Sequence, residues 1–187
     1  LDYFAKPYAL LFEEYAMVVE GKGKQALVVQ KVAENPTVDG KLDDKLWELA
    51  EPATLVTRRK AEEVACEYPT RVQGVFTLEG ITFGFHMAEP APDKLVTGRG
   101  APDTGGLWHN DCVEIFLDPP NDDVPDFYQW IVSAGLKRYD ACGSDHTWDA
   151  KGVQVAKHVG EDFWSLEVFI PLAAIPKVDR LATTEWT

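Results

Sequence analysis

The chain has 187 residues, of which 45% are hydrophobic and 26% charged, the composition of one folded domain rather than a disordered segment. Lys and Arg total 18 against 31 Asp and Glu, and the resulting net charge of −13 repels nucleic-acid phosphates and anionic lipid, so neither is an expected partner. No apolar run approaches the roughly 20 residues of a membrane-spanning helix.

The chain opens on Leu1 rather than Met, as expected of a processed or excised product. Residues 1–24 read differently from the rest. Pro7 suits the first turn of a helix, Leu10, Leu11, Glu14, Tyr15 and Val18 recur at helical spacing, and Gly21 and Gly23 supply a stop. This predicts an amphipathic helix over 7–20 and a linker at Gly21-Lys22-Gly23-Lys24. The expected role is an N-terminal helical arm or the tail of a preceding domain.

From residue 25 onward the pattern is that of strands. Ala26 to Val32 is short, β-branched and bounded by turn formers. Leu42, Leu46, Trp47 and Leu49 mark a short helical turn opened by Asp43 and Asp44. Val72, Gly74, Phe76 and Leu78 alternate, Glu79-Gly80 makes a hairpin turn, and Ile81, Phe83, Phe85 and Met87 alternate again. A long Pro- and Gly-rich loop follows from Ala88 to Gly106, of the kind that is functional or mobile. Four further strands are expected at 112–117, 127–133, 153–159 and 163–170, the last placing Trp164, Leu166, Val168 and Ile170 on one face. Short alternating strands with scraps of helix predict an all-β fold, a two-sheet antiparallel β-sandwich of immunoglobulin-like architecture over residues 25–187.

The three cysteines, Cys66, Cys112 and Cys142, match no zinc spacing, and an odd number cannot all pair within the chain. Cys112 reads as a small buried hydrophobe. Cys66 and Cys142 are then the one pair that could bridge.

The most informative run is Trp108 to Asp118. Strand parity sends Val113, Ile115 and Leu117 into the core and Cys112, Glu114 and Phe116 to the other side. A buried, unpaired carboxylate costs several kcal/mol, so Glu114 is expected to face water, a cation or hydroxyl groups. Trp108 lies at the end of the long loop, where an indole can be exposed. An aromatic plate beside a carboxylate suits a sugar, whose C–H face packs on the ring while its hydroxyls need polar partners. Trp47, Trp130 and Trp164 sit in periodic apolar patterns and read as core, whereas Trp148 lies in a polar stretch and is a second candidate contact.

Asp118, Asn121, Asp122, Asp123 and Asp126 crowd one connection. They read either as a solvated acidic loop or as oxygen ligands for calcium. Asp39, Asp43 and Asp44 form a second group. A glycosidase needs two carboxylates within reach of one bond. Asp111 and Glu114 have opposite parity, and Glu114 could meet Glu167 only on neighbouring strands. No nucleophile elbow, zinc-protease helix or phosphate loop is present, and His86, His109, His146 and His158 show no metal spacing. Catalysis by this chain alone is not expected.

Four segments together resemble family 9 carbohydrate-binding modules and their DOMON-like relatives: Asp39-Gly40-Lys41-Leu42-Asp43-Asp44-Lys45-Leu46-Trp47, the run from Trp108 to Asp118, the strand from Phe127 to Gly135, and the strand from Trp164 to Leu172. The resemblance implies a β-sandwich that binds an oligo- or polysaccharide between two tryptophans, with structural calcium. It also implies attachment to the domains of a larger secreted or periplasmic carbohydrate-active protein, commonly a glycoside hydrolase. Trp108 and Glu114 match one wall and a hydroxyl-binding carboxylate of that site, with Asp111 beside them and Trp148 standing in for the second plate. Ile131 stands where some members carry a ligand-binding Arg. The family's closing strands would fall beyond Trp186, and residues 25–187 lack them. Two alternatives accompany this reading. One is a structural or docking domain whose Trp108 is covered. The other is a haem-binding DOMON-like domain using Met87 with His86 or His158.

Overall fold

The computed structural model describes residues 9–13, 16–20, 27–59, 62–104, 106–118, 127–175 and 185–186. In chain order the strands are β1 (Ala9–Glu13), β2 (Ala16–Glu20), β3 (Leu27–Lys31), β4 (Ala53–Thr54), β5 (Val56–Arg59), β6 (Glu62–Ala65), β7 (Thr70–Phe76), β8 (Gly80–Ala88), β9 (Cys112–Leu117), β10 (Tyr128–Ser133), β11 (Arg138–Cys142), β12 (Gln154–Val159), β13 (Phe163–Pro171) and β14 (Glu185–Trp186). Short 3₁₀ turns occur at Lys45–Leu49, Pro92–Lys94, Leu107–His109 and Leu172–Ala174.

The large sheet has the order β12-β13-β8-β7-β3-β2-β1-β14, with β4 also on β7; the small sheet is β11-β10-β9, and β5–β6 is a separate hairpin. The helix predicted over 7–20 is not present among the described residues. Residues 9–13 and 16–20 form β1 and β2, which pair with each other and, through β2, with β3. Ala16-Met17-Val18-Val19 offers a β-branched run to the open edge of β3, and sheet pairing outweighs a helical spacing that a helix this short cannot sustain without packing. The sandwich is also not wholly antiparallel, because β3 runs parallel to β7, with Val29 opposite Gly74.

The two sheets bury one core between them. The large sheet contributes Phe83, Phe85, Leu166, Val168 and Ile170, and the small sheet contributes Val113, Ile115, Leu117, Tyr128, Trp130 and Val132. In β9 burial alternates as read from the sequence, whereas β8 and β13 are buried along nearly their whole length on both faces. Trp47 is core, as expected, but in a second cluster on the back of the large sheet, with Val32, Ala50 and Val75.

That second cluster depends on the Asp39-to-Trp47 run. Glu167 is 1% exposed, and its carboxylate accepts the N–H groups of Asp39 (2.8 Å) and Gly40 (2.7 Å) and the indole N–H of Trp47 (3.0 Å). Gly40 has φ +89°, and a Cβ there would lie 2.4 Å from the Lys157 carbonyl carbon, so only glycine fits. Gly84 leaves the space that the Leu42 and Trp47 side chains fill.

Candidate saccharide site

The small sheet has two unlike faces. Parity turns Val113, Ile115 and Leu117 inward, while Glu114 and Phe116 are exposed on the outer face. Opposite them on β10 lie Ile131 and Gln129. Gln129 Nε2 donates to Glu114 Oε1 at 3.4 Å, and the Phe116 ring meets Phe127 edge-on at 5.2 Å. At one end of this face Leu107 is fully buried with Ile131, Tyr139 and Ala141.

Trp108 rides on that buried leucine. The turn Leu107–His109 is closed by the Asn110 N–H donating to the Leu107 carbonyl at 3.0 Å. The Asn110 side chain, 8% exposed, also donates to the Leu107 carbonyl and to the Arg99 carbonyl, both at 2.9 Å, and accepts the Arg99 N–H at 2.8 Å. The indole of Trp108 is left 53% exposed, with His109 beside it.

The loop from Ala88 to Gly106 is tied down along its length. Asp111 Oδ2 accepts the Val96 N–H at 2.7 Å, and the Asp111 N–H donates to the Val96 carbonyl at 3.0 Å. Lys137 Nζ donates to the Gly100 carbonyl at 2.7 Å, and the Asp103 N–H to the Arg138 carbonyl at 3.0 Å. Asp111 thus spends one carboxylate oxygen on holding the loop that carries Trp108.

A cleft of about 380 Å³ opens along the first half of β9. Asp111, Cys112, Val113 and Glu114 form one wall, Phe85, Met87 and Trp164 the floor, and Tyr68 and Glu89 are among the residues of the far side. Strand parity had separated Asp111 from Glu114, yet both line this cleft. Asp111 precedes the first paired residue of the strand, where parity does not bind it. Burial and the neighbouring charges of Glu114 and Asp111 push the Cys112 thiol up from its ordinary value, so it is a poor thiolate. Cys66, Cys112 and Cys142 form no disulfide with one another.

Trp148 does not join Trp108. It packs against Tyr128 (5.2 Å) and Trp130 (5.6 Å, edge-on), both of which face the core, so it stands at the inner side of the small sheet. The segment that carries it is anchored by Asp140, whose Oδ1 accepts the Ala150 N–H at 3.3 Å. Burial raises the Asp140 carboxyl above the ordinary range. His146, from the same connection, reaches the other side, where Nδ1 lies 2.5 Å from the Tyr139 hydroxyl.

Glu114 and Glu167 lie in different sheets and make no pair. Met87 is buried in the core, whereas the adjacent His86 points to the opposite face, stacked on Phe163 at 4.5 Å. The two cannot flank one haem. Among the described residues no three His, Cys, Asp or Glu side chains gather as a metal site. Asp39 is occupied by Lys41, at 3.1 Å, and Asp44 by the Thr37 N–H, at 2.7 Å. Of the proposed calcium ligands, Asp118 directly follows β9, and Asn121, Asp122, Asp123 and Asp126 lie outside the described residues. Sequence reasoning missed Gln129, Tyr68 and Glu89. Gln129 could have been found from its place in the β10 alternation, whereas Tyr68 and Glu89 gave no signal.

The fold is similar to that of a family 9 carbohydrate-binding module from Caldicellulosiruptor kristjanssonii solved in complex with cellotriose, at 17% identity, covering 76% of this chain and 67% of that one with a TM-score of 0.54. The same module in complex with glucose gives a TM-score of 0.54 at 17% identity, covering 77% and 70%. A provisionally designated carbohydrate-binding protein from Bacteroides uniformis gives 0.57 at 16% identity, covering 81% of this chain and 74% of that one. These likenesses define the architecture as a β-sandwich of the kind seen in family 9 carbohydrate-binding modules. No protein-family model matches the chain, and no curated protein matches its sequence.

Proposed function

We propose that the chain is a non-catalytic saccharide-binding domain in which the indole of Trp108 carries a pyranose ring and Glu114, with Asp111 beside it, orients the hydroxyls. The observation that carries this is the 53% exposure of Trp108 on a turn locked from beneath by Asn110 and Leu107. An indole exposed on a rigid mount loses little conformational freedom on binding and offers a large apolar plate. Glu114 is exposed on the same side of the sheet and, as an acceptor only, suits the O–H donors of a sugar. The likeness to modules solved with cellotriose and glucose supports the same ligand class.

The domain would serve a larger secreted or periplasmic carbohydrate-active protein by holding it on its polysaccharide. The same reading includes structural calcium held by the connection from Asp118 to Asp126, so a chelator should lower the melting temperature. The decisive experiment is calorimetric titration of neutral oligosaccharides into wild type and Trp108→Ala. Binding heat lost in the variant supports the reading, and heat unchanged removes Trp108 from the site.

A further inference from the structure

We propose that the cleft beside β9 is a second saccharide-contacting surface, that Tyr68 and Glu89 on its far wall touch the ligand, and that this surface selects neutral sugar units against acidic ones. The proposal rests on the saccharide reading above and adds to it residues that no motif marked.

The size fits. A volume of about 380 Å³ falls within the roughly 300–1,000 Å³ of small-molecule clefts. The cleft begins at Asp111, three residues beyond the Trp108 plate, and ends at Glu114, the carboxylate already assigned to the site. Asp111, at the start of the edge strand β9, belongs both to the loop mount of Trp108 and to this cleft.

The lining fits as well. Phe85, Met87 and Trp164, core residues with only their edges reaching the cleft, close its bottom with apolar atoms. Tyr68 is 52% exposed at the rim, an aromatic side chain with a polar tip, the type that packs on a sugar and bonds to it at once. Glu89 is held in place because its Oε1 accepts the Ala91 N–H at 2.8 Å. The charge of Glu67, a hydrogen bond to that carboxylate, burial and, last, the charge of Glu89 raise the Tyr68 phenol above its ordinary value.

The charge pattern sets the specificity. Glu89, Asp111 and Glu114 all line the cleft, and among its described lining residues there is no Lys, Arg or His. Carboxylates only accept hydrogen bonds, so the ligand must bring donors, which a neutral sugar has in every hydroxyl. A uronic or sulfated unit would bring a like charge among three others.

The test uses the intact chain with cellotriose, xylotriose, mannotriose and a glucuronate-bearing xylotriose. Wild type is expected to bind at least one neutral trisaccharide and to bind the acidic one about tenfold more weakly or worse than xylotriose. Tyr68→Ala and Glu89→Gln are each expected to weaken neutral binding about three- to tenfold with an unchanged melting temperature, and Glu89→Lys to narrow the gap between neutral and acidic ligands. Cys112 lies in the cleft wall, so a bound trisaccharide should slow its alkylation at alkaline pH, read by peptide mass, and leave Cys142 unaffected. If Trp108→Ala abolishes binding while Tyr68→Ala, Glu89→Gln and Cys112 alkylation show no effect, the cleft is overturned and the Trp108 site stands. If no trisaccharide binds wild type, both fall.

Discussion

Asn110 and Arg99 are joined back to back: the Arg99 N–H donates to Asn110 Oδ1 at 2.8 Å, and Asn110 Nδ2 returns a bond to the Arg99 carbonyl at 2.9 Å. A side chain here plays the part of a strand partner for the loop backbone. Asn110→Ala is expected to cost about 2 kcal/mol, because it strands buried backbone groups. The melting temperature should fall by about 5 °C, and saccharide affinity should fall with it as the Trp108 mount loosens. Trp108→Ala should lower affinity with no comparable loss of stability. Thermal scans and titrations of both variants check the contrast.

Glu114→Gln removes charge from an exposed position, so stability should stay within about 0.5 kcal/mol of wild type. Affinity for a neutral saccharide should drop severalfold, since a charged acceptor bonds a hydroxyl more strongly than an amide does. Binding of a neutral ligand should change little between low and high salt. A steep salt dependence would point instead to a charged ligand.

Gly40→Ala is expected to be among the most damaging single substitutions. The new Cβ would meet the Lys157 backbone at 2.4 Å, in a conformation with φ +89°. The combined clash and strain should cost about 3 kcal/mol or more. Urea denaturation measures it, and a loss below 1 kcal/mol, by the same scale, would show that the segment can move aside.

Glu167 gives the fold a pH dependence of its own. Burial raises its carboxyl above the ordinary 4.5, and the N–H groups of Gly40, Asp39 and Trp47 pull it back only in part. The folded chain therefore keeps this proton to a higher pH than the unfolded chain does. Its contribution to stability is complete below the ordinary glutamate value and is lost as pH rises through the raised one. Glu167→Gln should abolish that portion of the pH dependence. It should also cost about 1–3 kcal/mol where Glu167 is ionised, because the amide presents a donor to N–H groups that need an acceptor. Denaturation curves of both proteins across the mildly acidic range test both statements.

Much of the sandwich was legible in strand parity. Val113, Ile115 and Leu117 went inward and Glu114 outward because one face of a strand meets a core and the other meets water. The helix over 7–20 was misread because Leu10, Leu11, Glu14 and Val18 match a helical period by chance, while what decides is β3, a partner that periodicity does not see. β11 was missed because Arg138 and Asp140 break its apolar alternation. Asp140 is tolerated facing the core because it accepts the Ala150 N–H. Of the site, Trp108, Asp111 and Glu114 could be read from one continuous run. The cleft could not, since Tyr68, Glu89 and the floor residues come from segments that only the pairing of sheets brings together.

The pairing of Ile81 with Ile170 fixes an order of assembly. β8 is synthesised before β9 to β12 and only then β13, its partner on one side. Until then a long apolar strand stands with an open edge, exposed to any other nascent chain that carries one. Closing so large a loop is slow, and the domain should depend on chaperones or on slow, dilute refolding far more than its modest length suggests.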